Sequence, residues 1–211
     1  MQINKQGMNI EDIVNHGLTY SEYRQHIGSL LAEGKTTGKM QTSKLVDFTR
    51  LNVQRMNRLD KTITIPAGAA ARLKGITGPV VWLVVGDAWC GDCAQTIPVI
   101  NKMAEVNKDK TALRIVSRDS YPELTEYYHA ASIPKLLFIN RQFMQVTGMW
   151  GPRPQPAQNI MLKWKESKGK IAWEDFEKEL HLWYSKDRGL TTINELVNLI
   201  TEPVPDFQHS K

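Results

Sequence analysis

Both cysteines of the chain stand in one stretch, Trp89-Cys90-Gly91-Asp92-Cys93, separated by two residues. Three chemistries suit such a pair: a thiol redox couple, half of a metal site, or two core residues that happen to be neighbours. A structural zinc normally takes four ligands, and His16, His26, His129, His181 and His209 show no ligand spacing with the cysteines or with one another. No metal is expected, short of a site shared between chains. Inert core cysteines fit poorly, because Gly91 and Asp92 are turn and helix-start residues.

The flanking elements favour the redox reading. Val80 to Val85, "VVWLVV", is a continuous β-rich apolar run bounded by Gly78-Pro79 and Gly86, as expected of a strand buried on both faces. A helix is predicted from about Cys90 through Asn107, then a second strand, "ALRIVS". Strand, helix, strand in this order is a βαβ unit with a parallel pair. Cys90 then falls where the strand has ended and the helix begins, and unpaired N–H groups and the positive end of the helix dipole stabilise a thiolate there. Cys93, one turn deeper on the same face, can close a disulfide with little movement. Cys90 is the expected nucleophile and Cys93 the thiol that resolves the mixed disulfide.

Further along, a helix is predicted from Pro122 to Ala131, a strand over "KLLFIN" and an antiparallel partner over "FMQVTGMW". Upstream, Thr19 with Glu22 forms a capping-box pattern that opens a helix from Tyr20 to Glu33. A second helix, Lys44 to Asp60, places Leu45, Phe48, Leu51, Met56 and Leu59 near one stripe. Three prolines in "GPRPQPAQ" argue against helix there, and helices are expected over Ala157 to Glu166, Trp173 to Ser185 and Ile193 to Ile200. Thr192 with Glu195 reads as a second capping box, and 202–211 as a tail.

The 211 residues and 41 % hydrophobic content suit one generous globular domain. The N-terminus lacks the apolar segment of a signal peptide and no run is long enough to cross a bilayer, so the expected compartment is the cytoplasm, without membrane contact. Thiols there are kept reduced, which favours catalysis or metal binding over a structural disulfide. The net charge of +5 is concentrated between residues 34 and 61, where seven Lys and Arg face only Asp47 and Asp60. No nucleic-acid motif accompanies it, so a solvated helix face is expected and nucleic acid is not.

The residues "WCGDC" (89–93) and "SIPKLLFIN" (132–140) make the chain resemble the thioredoxin superfamily, over roughly Ile76 to Ile160. With "EGKTTG", "LNVQRMNRLDKT", "RIVSRD" and "WGPRP", it is similar to a bacterial thioredoxin-like family with helical extensions at both ends. The resemblance implies an α/β thioredoxin-like fold: a central mixed sheet flanked by helices, an N-terminal helical extension over 1–63, a core over 64–160 and a C-terminal helical extension over 161–201. It implies that Cys90 attacks, that Cys93 is the buried partner and that Trp89 shields the pair. It also implies that Pro134 follows a cis bond against the disulfide, leaving Ile133 free to pair with an extended substrate. The implied activity is cytoplasmic reduction of protein disulfides without a bound cofactor, followed by recycling through a reductase or low-molecular-weight thiol. The alternative is a partner-binding module in which the pair is a redox-controlled latch, a role that permits the cysteines to be covered.

Departures from the common thioredoxin pattern sharpen the expectations. The buried aspartate that many thioredoxins carry six residues before the first cysteine is Val84 here, and its lysine partner is Ile115. Resolution by Cys93 then needs another base or water, and Asp92 or Asp87 is the candidate for part of that role; the alternative is that Asp92 caps the helix and Asp87 is a solvated turn residue. The Asp92 carboxylate beside Cys90 is expected to disfavour the thiolate, opposing the helix dipole, and to shift the pair toward a reductant. Arg118 and Asp119 are placed at a possible rim of the site. Arg153 would either steer an acidic substrate and favour the thiolate, or pair with a carboxylate. Trp82, Trp164, Trp173 and Trp183 are read as packing residues.

Overall fold

The computed structural model describes residues 8–201. At its centre the apolar run forms β1 (Val80–Val85). It pairs in parallel with β2 (Thr111–Val116), with Val84 opposite Ile115, and antiparallel with β3 (Lys135–Asn140). β4 (Gln145–Trp150) closes the order β2-β1-β3-β4, with a register shift between Phe138 and Ile139. Strand β1 has neighbours on both sides and helices over it, so from Val81 to Val85 every residue is buried, which is why its sequence does not alternate. Trp82 lies edge-on to Phe138 at 5.7 Å within this core.

Two short helices escape the periodicity reading, α1 (Ile10–His16) and, below, α4; the former ends before Leu18, whose backbone bridges Ile115 and extends the sheet edge. α2 (Tyr20–Ala32) begins with the expected capping box: Glu22 Oε2 accepts from Thr19 N at 2.8 Å, and Thr19 Oγ1 from Glu22 N at 3.3 Å. α3 (Ser43–Thr62) buries Val46, Thr49, Asn52, Met56 and Leu59, a stripe rotated from the expected one. Leu51 is 42 % exposed, and Leu45 and Phe48 are half-buried. Hydrogen bonds decide the rotation, because Thr49 reaches Thr36 and the Leu45 carbonyl, and Asn52 Nδ2 donates to the Ala88 carbonyl at 2.8 Å.

α4 (Ala67–Lys74) precedes β1, and α5 (Gly91–Glu105) follows it, packed along α3. After β2, the single turn Arg118–Ser120 leads to α6 (Pro122–Tyr128). α7 (Gln155–Glu166) starts inside the proline-rich stretch read as non-helical, because Pro156 sits in the first turn, where its missing N–H costs nothing. α8 (Trp173–Asp187) packs on α7 through Ala157, Phe176, Leu180 and Tyr184, a cluster distinct from the main core. α9 (Leu190–Thr201) joins the main core through Ile193, Leu196 and Val197. Thr192 is no cap: it is buried inside α9, while Asp187 accepts from Thr191 N and Glu195 bonds Trp150 Nε1 and Gln155 N. The tail at 202–211 lies outside the described residues. Among those described, no helix is long and apolar enough to cross a membrane.

One glycine ties β4 to the loop before β3. Gly151 has φ +114°, and a Cβ there would lie 2.3 Å from the Pro134 carbonyl oxygen. Gly151→Ala is expected to cost about 2–3 kcal/mol from positive φ and overpacking, read as a lower urea midpoint with unchanged slope. A midpoint within error of wild type would contradict this.

Candidate active site

The turn from β1 into α5 is held from the N-terminal side. Ala88 N donates to Thr37 Oγ1 at 2.8 Å, the Ala88 carbonyl accepts from Asn52, and Gly38 packs against Trp89 and Asp87. Cys90 is the N-cap of α5, half-buried, with no side chain capping the helix, and its thiol donates to the Ile133 carbonyl at 3.4 Å. The Ile133–Pro134 bond is cis, as is Gly151–Pro152. Cys93 is 1 % exposed; burial first, then a hydrogen bond with Cys90, pushes its thiol well above the ordinary range. The pair is a half-open thiol over a buried one.

Asp92 is neither a solvated charge nor a cap. Its carboxylate is buried, Oδ2 accepting from Arg153 Nε at 3.0 Å and Nη2 at 2.5 Å, and Oδ1 from Tyr184 Oη at 2.7 Å. Arg153 also donates to Gln158 at 3.0 Å, so its charge is consumed by the pairing alternative rather than offered to substrate. The expectation that Asp92 opposes the Cys90 thiolate as a free charge therefore fails, because the guanidinium neutralises it in place.

Asp87 is fully buried rather than a solvated turn residue. Ser117 Oγ donates to its Oδ1 at 2.7 Å, while Oδ2 has no partner among the described residues. Burial pushes its carboxyl above the usual range, the Ser117 and Thr37 hydroxyls opposing. Tyr23, from α2, is also buried, its hydroxyl has no partner among the described residues, and Cys93 and Asp87 are its foremost electrostatic neighbours. Gly86 completes this inner side: a Cβ there would sit 2.9 Å from Cys93 Sγ. Gly86 and Tyr23 also line a cavity of about 750 Å³ beneath the end of β2.

At the rim, the Arg118 guanidinium lies over the Trp89 ring at 5.3 Å and donates to Asp119 at 3.2 Å. Asp119 chiefly accepts from Lys39 N, at 2.8 Å, which holds its carboxyl below the ordinary value. The structure thus gathers Trp89, Cys90, Gly91, Cys93, Ile133 and Pro134, sets Asp87 behind Cys93, and leaves Arg118 and Asp119 on the Trp89 side.

Sequence reading missed a second wall. A groove of about 240 Å³ opens beside Cys90, walled by Leu45, Phe48 and Arg55 of α3 and by Trp173, Glu177 and His181 of α8. Trp173, read as packing only, is 40 % exposed here while contacting Trp164. His181 rests on Gly91, whose Cβ would meet its ring at 2.8 Å, and Gln95 Nε2 lies 3.3 Å from its Nδ1. Burial, then the Arg55 charge, pushes its imidazole down to about 4. A folded-state value depressed below 6.5 gives stability that is present above pH 6.5 and lost as the pH falls toward 4. This contribution is expected to reach about 2 kcal/mol, measured as the difference in acid sensitivity of the urea midpoint between wild type and His181→Gln. Parallel profiles would contradict it. No local motif marks His181, since it reaches Gly91 from 90 residues away along the chain, and among the described residues no group of three or more His, Cys, Asp or Glu could hold a metal ion.

A sheet of this order, with Cys-x-x-Cys at the start of the helix leaving β1 and a cis-proline against it, defines a thioredoxin-fold protein. A sequence model of the family described as Thioredoxin matches residues 38–169, more than half of the chain, and the chain belongs to that family. It is similar to a thioredoxin of Alicyclobacillus acidocaldarius, 34 % identical over 32 % of this chain and 66 % of that one. Thioredoxin-1 of Drosophila melanogaster is 28 % identical over 36 % of this chain and 69 % of its own length. Among solved structures, an HIV epitope-scaffold shares the fold, with a TM-score of 0.59 at 16 % identity over 92 % of this chain and 98 % of that one.

Proposed function

We propose that the protein is a thiol-disulfide oxidoreductase that reduces protein disulfides through Cys90 and Cys93, acting in the cytoplasm. The observation that carries this reading is the asymmetry of the pair: Cys90 is half-open at an uncapped helix start against the cis-proline loop, and Cys93 is sealed beneath it. Cys90 thiolate attacks the substrate disulfide, forming a mixed disulfide and releasing one substrate thiol. Cys93 then loses its proton and attacks Cys90 Sγ, releasing the second thiol and closing the Cys90–Cys93 disulfide. With Val84 and Ile115 both apolar and buried, Asp87 is the base we assign to Cys93, since it has a free buried oxygen and a raised carboxyl, whereas Asp92 is spent on Arg153 and Tyr184. Trp89, Gly91, Ile133 and Pro134 frame the pair, with Arg118 and Asp119 behind the indole. We read the N-terminal extension, described over residues 8–63, and residues 161–201 as helical extensions on a 64–160 core that supply the groove walls. The groove reaching Cys90 supports an enzyme over a covered latch.

The reduction potential, measured in a dithiothreitol series beside insulin reduction, tests the assignment. A value near the thioredoxin one of about −270 mV with turnover is expected. A reversible couple without turnover would favour the latch.

A further inference from the structure

The groove beside Cys90 holds Arg55, a cation with no ion pair among the described residues, although Glu177 of the same groove stabilises its charge through space. Arg55 leans from α3 onto the start of α5: a Cβ on Gly91 would lie 3.4 Å from its Nη1, one residue from the reactive cysteine. Its Nη1 donates to Asn52 Oδ1 at 2.8 Å, and among the described residues it makes no ion pair. Of the other charged groups of the groove, Arg153 and Asp92 are spent on each other and His181 is neutral at neutral pH, while Glu177 and, more weakly, Asp92 stabilise Arg55 through space and Arg58 opposes them. Burial disfavours the Arg55 charge, so the site would gain from an anion that replaces lost water. The remaining walls, Leu45, Phe48 and Trp173, are apolar.

Size narrows the occupant. About 240 Å³ lies below the roughly 300–1,000 Å³ of pockets that hold drug-sized ligands. It suits a few heavy atoms beyond the reacting sulfur rather than a folded surface.

We propose that this groove admits the thiol that regenerates the enzyme, a low-molecular-weight thiol bearing a carboxylate, and that Arg55 binds that carboxylate. The inference rests on the redox reading above and names its recycling partner. The oxidised pair presents only Cys90 Sγ, since Cys93 is 1 % exposed. The incoming thiolate attacks Cys90 Sγ, the Cys90–Cys93 bond breaks, and Cys93 leaves and takes a proton. A second thiolate attacks the external sulfur of the mixed disulfide and frees Cys90 thiolate. Two electrons enter the protein, and two small thiols become one small disulfide.

Oxidised protein is mixed with 3-mercaptopropionate, 2-mercaptoethanol or cysteamine, which are anionic, neutral and cationic, and its reduction is followed by acid quenching and thiol alkylation. Each rate is divided by that for a small uncharged disulfide, which removes the intrinsic reactivity of the thiol. The expected order is anionic, neutral, cationic. Arg55→Met is expected to lower the anionic-to-cationic ratio about fivefold, and Arg55→Lys to retain most of it. In wild type the preference should shrink as ionic strength rises from about 0.01 M to 0.15 M, where the screening length falls from about 30 to 8 Å. The same ratio in wild type and Arg55→Met would overturn the proposal. So would an Arg55-dependent gain confined to a cysteine peptide with a neighbouring Glu, compared with its Gln counterpart, because the carboxylate would then belong to an acidic protein. If no thiol reduces the pair, the redox reading itself fails; if all reduce it without charge order, only the assignment to Arg55 fails.

Discussion

Cys93→Ser is expected to stop the reaction halfway: the substrate stays joined to Cys90, visible as a band that only reductant removes, and turnover falls about a thousandfold or more. The reason is geometric. Cys93 is 1 % exposed and sits behind Cys90 in the first turn of α5, so no external thiol reproduces its attack at comparable effective concentration. Cys90→Ser is expected to lose turnover equally but to trap nothing, since the half-open sulfur that begins the exchange is gone. Asp87→Asn should slow release of the trapped species in an otherwise intact pair, because burial keeps Cys93 protonated and the amide cannot take its proton. Trapping by Cys90→Ser instead of Cys93→Ser would reverse the two roles.

Arg153→Met carries the largest expected cost in stability, about 3–5 kcal/mol. Its guanidinium, only 11 % exposed as a side chain, spans from the β4–α7 connection to Asp92, whose side chain is 8 % exposed. Removing it strands a carboxylate with the Tyr184 hydroxyl as its remaining side-chain partner, and the desolvation of that charge is then uncompensated. Asp92→Asn in the same background is expected to recover much of the loss, because the stranded charge goes with it. Urea midpoints of the two single variants and the double variant give the coupling directly. Additive losses would show that the pair is not the unit described here.

The place of the Cys-x-x-Cys between β1 and α5 was legible from local order alone. A buried strand, a Cys-x-x-Cys and a helix start are successive along the chain, and burial on both faces produces an apolar run that needs no partner to be recognised. The capping box at Thr19 was equally plain, because Glu22 is one helical turn away. The same pattern misled at Thr192, where the helix had already begun and Glu195 was drawn to Trp150 and Gln155. α3 shows the limit of periodicity. Its apolar residues suggest one face, yet Thr49 and Asn52 are buried because hydrogen-bond partners await them, and Leu45 and Phe48 are released toward the groove.

The sequence by itself determined the strand-helix-strand order and the place of the Cys-x-x-Cys within it, since cysteine spacing and hydrophobic order act over a turn or a strand. Only the tertiary structure decided what each charge does. Asp92 meets Arg153 from 61 residues away and Tyr184 from 92, and Asp87 loses its water to helices packed from the N-terminal side. Whether a carboxylate is a base, a repelling charge or half of a buried pair depends on desolvation and on the partner across the fold, and both arise only when distant segments pack.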